Sequence, residues 1–306
     1  MDQPFPPPSA PAGRHAFAAL IAGNLVLALG PWMVRLADVG PVASGFWRMA
    51  LAVPLLLLLA RHQAGAKLAP GRGLIILLSL AGLFFAADLA AWHVGITMTK
   101  LANASLFGNS SSFLLVIYGF LRLKRLPDRL QAAALGAAAA GTFLLLGSSW
   151  ELSPEHFTGD LFAMLAGLFY TFYLIVVERA RQVMKPMPVL AIATTAGALP
   201  LLAFALLVGE QVVPGDWTPL ILLALGSQVI GQGLLVYAMG YLSPVVVGVG
   251  LLAQPAASAV IGRLAYGETT SLADAAGALL IAAALVLIRL PGRQARLASL
   301  ARRDHP

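Results

Sequence analysis

Residues 124–146 read KRLPDRLQAAALGAAAAGTFLLL, and residues 265–287 read AYGETTSLADAAGALLIAAALVL. Each opens on a polar or charged turn, passes through small residues around Gly136 or Gly277, and ends leucine-rich. Each apolar part approaches the ~20 residues that a helix needs to cross a hydrocarbon layer. The pattern recurs elsewhere. AVPLLLLLA at 52–60 resembles ALPLLAFAL at 198–206, and Ala22-Gly23 aligns with Ala166-Gly167. All these offsets fall at roughly 141–147 residues, which reads as one unit written twice.

Composition sets the solvent. Of 306 residues, 59% are hydrophobic and only 11% charged, where a soluble domain carries about 25% charge. The mean hydropathy of +0.84 exceeds what any soluble core needs. A cytosolic enzyme, a disordered chain and an extracellular disulfide scaffold are excluded, and the bilayer remains. With no cysteine there is no disulfide, thiolate metal site or thiol nucleophile. No GxxxxGK[ST], HExxH or GxSxG pattern occurs, so neither nucleotide hydrolysis nor these enzyme chemistries are expected, and no cofactor is implied.

Ten apolar runs follow one another, at about 16–35, 42–60, 73–93, 101–121, 129–148, 160–179, 188–208, 218–239, 245–264 and 271–290. None alternates with period two, which favours helices over a transmembrane barrel. The expected fold is an all-α integral membrane protein of ten transmembrane helices in two five-helix repeats, at 16–150 and 159–290. An odd number of crossings per repeat forces the halves into opposite orientations. Residues 1–15 are expected to be a disordered, Pro-rich lead-in rather than a signal peptide, and 291–306 a basic tail suited to anionic lipid headgroups.

With ten crossings both termini share a side. That side collects sixteen of the twenty Lys and Arg residues; the other holds three, Arg35, Lys100 and Arg263, and Arg48 lies within a run. The positive-inside rule then predicts both termini in the cytoplasm, in the inner (plasma) membrane. Glu151, Glu155, Asp160, Glu210 and Asp216 fall on the outer loops, and the first three are read as a solvated loop. The pI near 10.1 is therefore a topology signal and calls for no nucleic-acid partner.

Polar side chains inside a membrane are costly and mark a cavity or a partner. Arg48 lies about seven residues below the outer end of its run, ~10 Å deep, and Asp88 lies at similar depth in the next run. Equal depth on consecutive helices predicts an Arg48–Asp88 ion pair. Alternatively Arg48 binds a substrate carboxylate, or Asp88 carries a proton. His93 beside Trp92 is an interfacial ring or a cavity residue. Asn103 and Asn109, with Ser110 to Ser112, make the fourth run the most polar, for packing or for lining; Asn24 in the first run has the same two readings. Gln228 and Gln232 are four apart and so share a face, as do Tyr170 and Tyr173, three apart. Gln254-Pro255 frees a backbone carbonyl one turn upstream, for a substrate ammonium or as a kink. Aromatic and aliphatic walls with few charges suit a flat, apolar side chain.

The end of the second repeat, YLSPVVVGVGLLAQPAASAVIGRLAYGETTSLADAAGALLIAAALVLI at 241–288, resembles the EamA-type domain of the drug/metabolite transporter superfamily. The shared features are Pro255 in a small-residue helix, the Gly267-Glu268 turn, and Gly277 in the last helix. In the first repeat Phe113 stands where that proline would be, and Pro127 where the glutamate would be. Within the superfamily the chain is most similar to YddG-type exporters of aromatic amino acids. The resemblance implies helices 1, 3, 4, 6, 8 and 9 around a central cavity and helices 5 and 10 at the periphery. It places Asn24, Asp88, Asn103, Asn109, Tyr170, Gln228, Gln232 and Gln254 as lining. The implied function is export of small amphipathic metabolites, with aromatic or hydrophobic amino acids foremost and downhill flow favoured. The alternatives are a broad exporter of cationic solutes, which needs an unpaired acid such as Asp88, and an integral-membrane enzyme on lipid-linked substrates. The partners are a small-molecule substrate and the bilayer; the sequence leaves the oligomeric state open, a monomer included.

Overall fold

The computed structural model describes residues 10–64, 70–99, 104, 107–124, 126–146, 154–266 and 271–290. Among them every regular element is helical. In hydrocarbon no water completes a backbone hydrogen bond, so each crossing segment closes its own. The helices are α1 (Ala10–Leu27, resuming as Gly30–Leu36), α2 (Pro41–Ala64), α3 (Arg72–Met98), α4 (Ser110–Leu123) and α5 (Arg129–Leu146). The second half repeats them as α6 (Phe157–Ala180), α7 (Pro186–Leu207), α8 (Thr218–Met239), α9 (Pro244–Leu251, resuming as Ala253–Tyr266) and α10 (Leu272–Leu287). Seven of these are long and apolar enough to cross a membrane alone, while α4, α5 and α10 are shorter apolar helices. Each of the ten expected runs has its helix. α1 begins at Ala10, inside the stretch read as a lead-in, with Pro11 in its first turn, where a missing N–H costs nothing.

Local chemistry places the ends. Pro41, Pro186 and Pro244 open α2, α7 and α9. Ser271 and Asp274 form a reciprocal capping box on α10. Gly209, at φ +75°, turns the chain sharply after α7. That turn brings Glu210 to the start of α2, where its carboxylate accepts from Val42 N (3.2 Å) and Ala43 N (2.8 Å). Two orphan donors of a helix from the first half are thus satisfied by an acid from the second. Glu210, on an outer loop as expected, thus caps a helix. Asp160, read as solvated, is buried and accepts from Thr99 Oγ1 at 2.6 Å. Glu155 is exposed as expected; Glu151 lies outside the described residues.

The packing has a two-fold pattern. α2 lies on α7, α4 on α9, and α5 on α10; α3 packs on α6 and α7 as α8 packs on α1 and α2. Every pair maps onto itself or onto another when the repeats are exchanged. Glycines set the closest approaches. A Cβ on Gly141 would lie 2.7 Å from the Gly277 carbonyl oxygen, and one on Gly277 would lie 2.7 Å from that of Gly141. Gly136, the glycine the sequence singles out, faces open space. Pro54 and Pro200, from the two matching segments, sit inside α2 and α7. The interruptions also correspond. Asn109 breaks the helical chain just before α4 and Leu252 breaks α9, at an offset within the range seen in the sequence. In α9 the cause is Pro255, whose ring excludes the i−4 carbonyl and which has no N–H.

Two apolar cores result. The main one draws on α1 to α4 and α6 to α9; a smaller one joins α5 and α10 to α4 and α9 through Ala134, Ala138, Val249, Ile281 and Ala284. Leu58, Leu121, Leu207 and Leu279 stand exposed on the outside, as lipid-facing residues do. Gly141→Leu is expected to destabilise the fold by about 1–3 kcal/mol through overpacking, read as a lower Tm in detergent, whereas Gly136→Ala should leave Tm unchanged or higher.

Candidate functional site

Arg48 projects from α2 into the interior. Its Nε–H donates to Gln228 Oε1 at 2.9 Å, and Gln228 Nε2 donates to Thr194 Oγ1 at 2.8 Å. The guanidinium carbon stands 5.4 Å from the centroid of the Phe85 ring. Gln228, Thr194 and Phe85 are all buried, yet Arg48 keeps accessible surface. Asp88 on α3 is also half-buried and makes no hydrogen bond or ion pair with any described residue.

The expected Arg48–Asp88 ion pair is therefore not formed, although the two charges act on each other through space. The reason is azimuth. Consecutive helices α2 and α3 barely touch, while α2 packs on α7 and on α8. The middle of α8, Ala224–Gly231, is a π-helix, a local widening often found where a helix must present a side chain differently from its neighbours. Gln228 lies within it and faces Arg48 and Thr194. Gln232 starts the next α-helical turn and gives its Nε2–H to the Tyr170 hydroxyl at 3.4 Å. The two amides that share a face in the sequence thus serve different partners.

Below Arg48 the wall is aromatic. Phe85 and Tyr173 stack with centroids 4.8 Å apart, and Tyr170 and Tyr173 at 5.7 Å. Tyr173 Oη and Gln232 Oε1 are buried and have no hydrogen-bond partner among the described residues.

The other expected residues lie apart from this group. Asn24 is fully buried, donating to Leu20 O and accepting from Gln254 Nε2, both at 2.7 Å; the pair ties α1 to α9. His93 is buried with Nδ1 at 2.6 Å from Leu89 O and its ring edge-on to Trp92. A carbonyl only accepts, so Nδ1 carries the hydrogen and the buried Nε2 is left unpartnered. Asn109 is half-buried at the break before α4. Asn103 lies outside the described residues.

Sequence reading missed Thr194, Phe85 and one ion pair. Threonine in an alanine-rich helix and phenylalanine in an apolar one carry no signal. The pair is Arg122–Glu178, with Arg122 Nη1 2.5 Å from both carboxylate oxygens and Glu178 only 1% exposed. Gln182 also donates to Glu178, at 3.0 Å. An acid amid the basic residues at the end of α6 was the available clue. The pair closes α4 onto α6 at the face bearing the chain termini, a face marked by Arg289 of the carboxyl-terminal end lying 4.4 Å over the Phe17 ring of α1. Beside it Arg181, just past α6, donates to Val236 O at 2.8 Å and to Met184 O; burial draws its pKa below the ordinary value.

Exchange of the repeats turns the α4–α6 contact into α9–α1 at the opposite face. There the helices part. Beyond the Asn24–Gln254 bond, Leu29 and Trp32 of α1 and Ile261 and Leu264 of α9 line an apolar groove of about 350 Å³. Among the described residues, this position carries a groove where its counterpart carries an ion pair.

The EamA-like transporter family matches residues 15–147 and 157–290. The chain belongs to this family. The two matched stretches are the two five-helix repeats, so the protein is a multi-pass membrane transporter. No curated relative matches the sequence. A solved crystal structure, described only as that of a protein, superposes with a TM-score of 0.77 at 20% identity, over 97% of this chain and 99% of the other. At that identity the likeness shows the fold.

Glu178 is buried, so losing its cation strands a charge. A buried pair broken from one side costs about 3–5 kcal/mol; with the Arg122 side chain 35% exposed, Arg122→Ala is expected to cost about 2–3 kcal/mol in detergent unfolding. Adding Glu178→Gln should recover part of that loss. A double variant no more stable than Arg122→Ala contradicts the assignment.

Proposed function

We propose that this transporter lies in the inner membrane with both termini in the cytoplasm and exports small zwitterionic metabolites, aromatic or hydrophobic amino acids foremost. The charge asymmetry of the loops supports the orientation. One observation carries the substrate class. Arg48 and the unpartnered Asp88 are held apart beside a wall of Phe85, Tyr170 and Tyr173. Apart from its Nε–H, Arg48 has no hydrogen-bonded group among the described residues. Its terminal nitrogens suit a carboxylate and Asp88 suits an ammonium, while stacked rings suit a flat apolar side chain.

The lips support alternating access. With the terminal face closed at Arg122–Glu178 and the opposite face parted between α1 and α9, rocking one repeat against the other would exchange the two conditions. Substrate would reach Arg48 and Asp88 from each side in turn.

Asp88 also favours a second reading. An acid without a direct partner serves a cationic solute, or a proton. Arg48 counts against a purely cationic cargo, because its charge repels one in the same space. The test is purified protein in liposomes preloaded with labelled phenylalanine, tryptophan or a quaternary ammonium, with and without a pH gradient. Amino acid release, lost by at least ~10-fold in both Arg48→Ala and Asp88→Asn, is expected. Cation release that survives Arg48→Ala but not Asp88→Asn would replace the first reading with the second.

A further inference from the structure

The geometry points to a hydroxyl-recognising subsite at Tyr173 and Gln232, which makes the transporter prefer side chains bearing a ring hydroxyl over the same ring without one. This rests on the amino acid reading above and deepens it.

Tyr173 is wholly buried and Gln232 is 2% exposed, yet Tyr173 Oη and Gln232 Oε1 have no hydrogen-bond partner. Buried polar atoms are mostly paired, and of the six unpaired ones among the described residues these two belong to side chains that both touch Tyr170. They flank the same residue. Tyr170 takes the Gln232 amide hydrogen on its hydroxyl and stacks its ring on Tyr173 with only 18° between the planes. Tyr173 in turn stacks on Phe85, and Phe85 lies under Arg48. The order Arg48, Phe85, Tyr173 leads from the charged groups along the aromatic wall to the orphans. A substrate with its carboxylate at Arg48 and its ring on this wall directs the far edge of the ring toward them.

The chemistry selects the group at that edge. Tyr173 Oη offers a hydrogen and Gln232 Oε1 a lone pair. A hydroxyl uses both at once, accepting from the tyrosine and donating to the amide. If the amide is turned over, its NH₂ becomes the free group and a hydroxyl accepts from it instead. An unsubstituted ring leaves both atoms unpaired, which is how a site built to bind a hydroxyl rejects the analogue lacking it.

The test is export of labelled tyrosine and phenylalanine from liposomes containing the full chain, as wild type, Tyr173→Phe and Gln232→Leu. The measured quantity is the ratio of the two KM values, with phenylalanine as each variant's internal reference. In the wild type, tyrosine is expected to have a KM about 10-fold lower. Each variant should bring the ratio to within about 2-fold of unity, mainly by raising the tyrosine KM. A side chain that merely packed would shift both substrates together. Tyr173→Phe loses only one unpartnered oxygen; Tm measurements on both variants keep a folding loss apart from a specificity loss. A wild-type ratio near unity, or a ratio unchanged in both variants, overturns the subsite and leaves the orphans to a buried water. Absence of export of either amino acid by the wild type instead overturns the reading on which the subsite rests.

Discussion

Hydrocarbon supplies no hydrogen bonds, and the architecture follows from that one constraint. The backbone must pair within each crossing segment, so the described elements are all helices. Polar side chains must pair too, so they turn inward. Arg48 finds Gln228, Gln228 finds Thr194, Asn24 finds Gln254 and Glu178 finds Arg122. Threonines with no partner on another helix bond the carbonyl one turn back, as Thr142 and Thr171 do. The outward surface, rich in exposed leucine, needs nothing from its solvent.

Because lipid tails are as apolar as leucine, the hydrophobic effect does little to hold helices together here. Close packing does it, through residues small enough to let backbones meet. Gly23 meets Gly231, Gly82 meets Ala193, and Gly141 meets Gly277. Equivalent helices make equivalent contacts, so the packing is two-fold. The differences between halves are then informative. An ion pair joins α4 to α6, while a groove lies between α1 and α9. Glu210 adds a tie across the halves at the start of α2.

Much of this was legible in the sequence. Ten runs, two repeats and the charge asymmetry rest on composition and period, which neighbouring helices do not alter. Pro255 marked the break in α9 because proline removes a helix hydrogen bond, although Pro54 and Pro200 stand inside unbroken helices. The site was legible only as an inventory. Depth can be counted along one helix, and depth put Arg48 level with Asp88. The direction in which each side chain points around its helix depends on which helices meet. Here α2 faces α7 and α8 rather than α3, and a π-helical turn redirects Gln228.

The amino-acid sequence by itself determined the solvent, the number of crossings and the duplicated plan, because these depend on local apolar content and its repetition. Only the tertiary structure decided that Arg48 pairs with an amide, that Glu178 is sealed by Arg122 and that, among the described residues, Asp88 has no direct partner and two polar atoms near Tyr170 are unsatisfied. Such pairings join residues far apart in the chain, and one sequence carries no record of which helices come together.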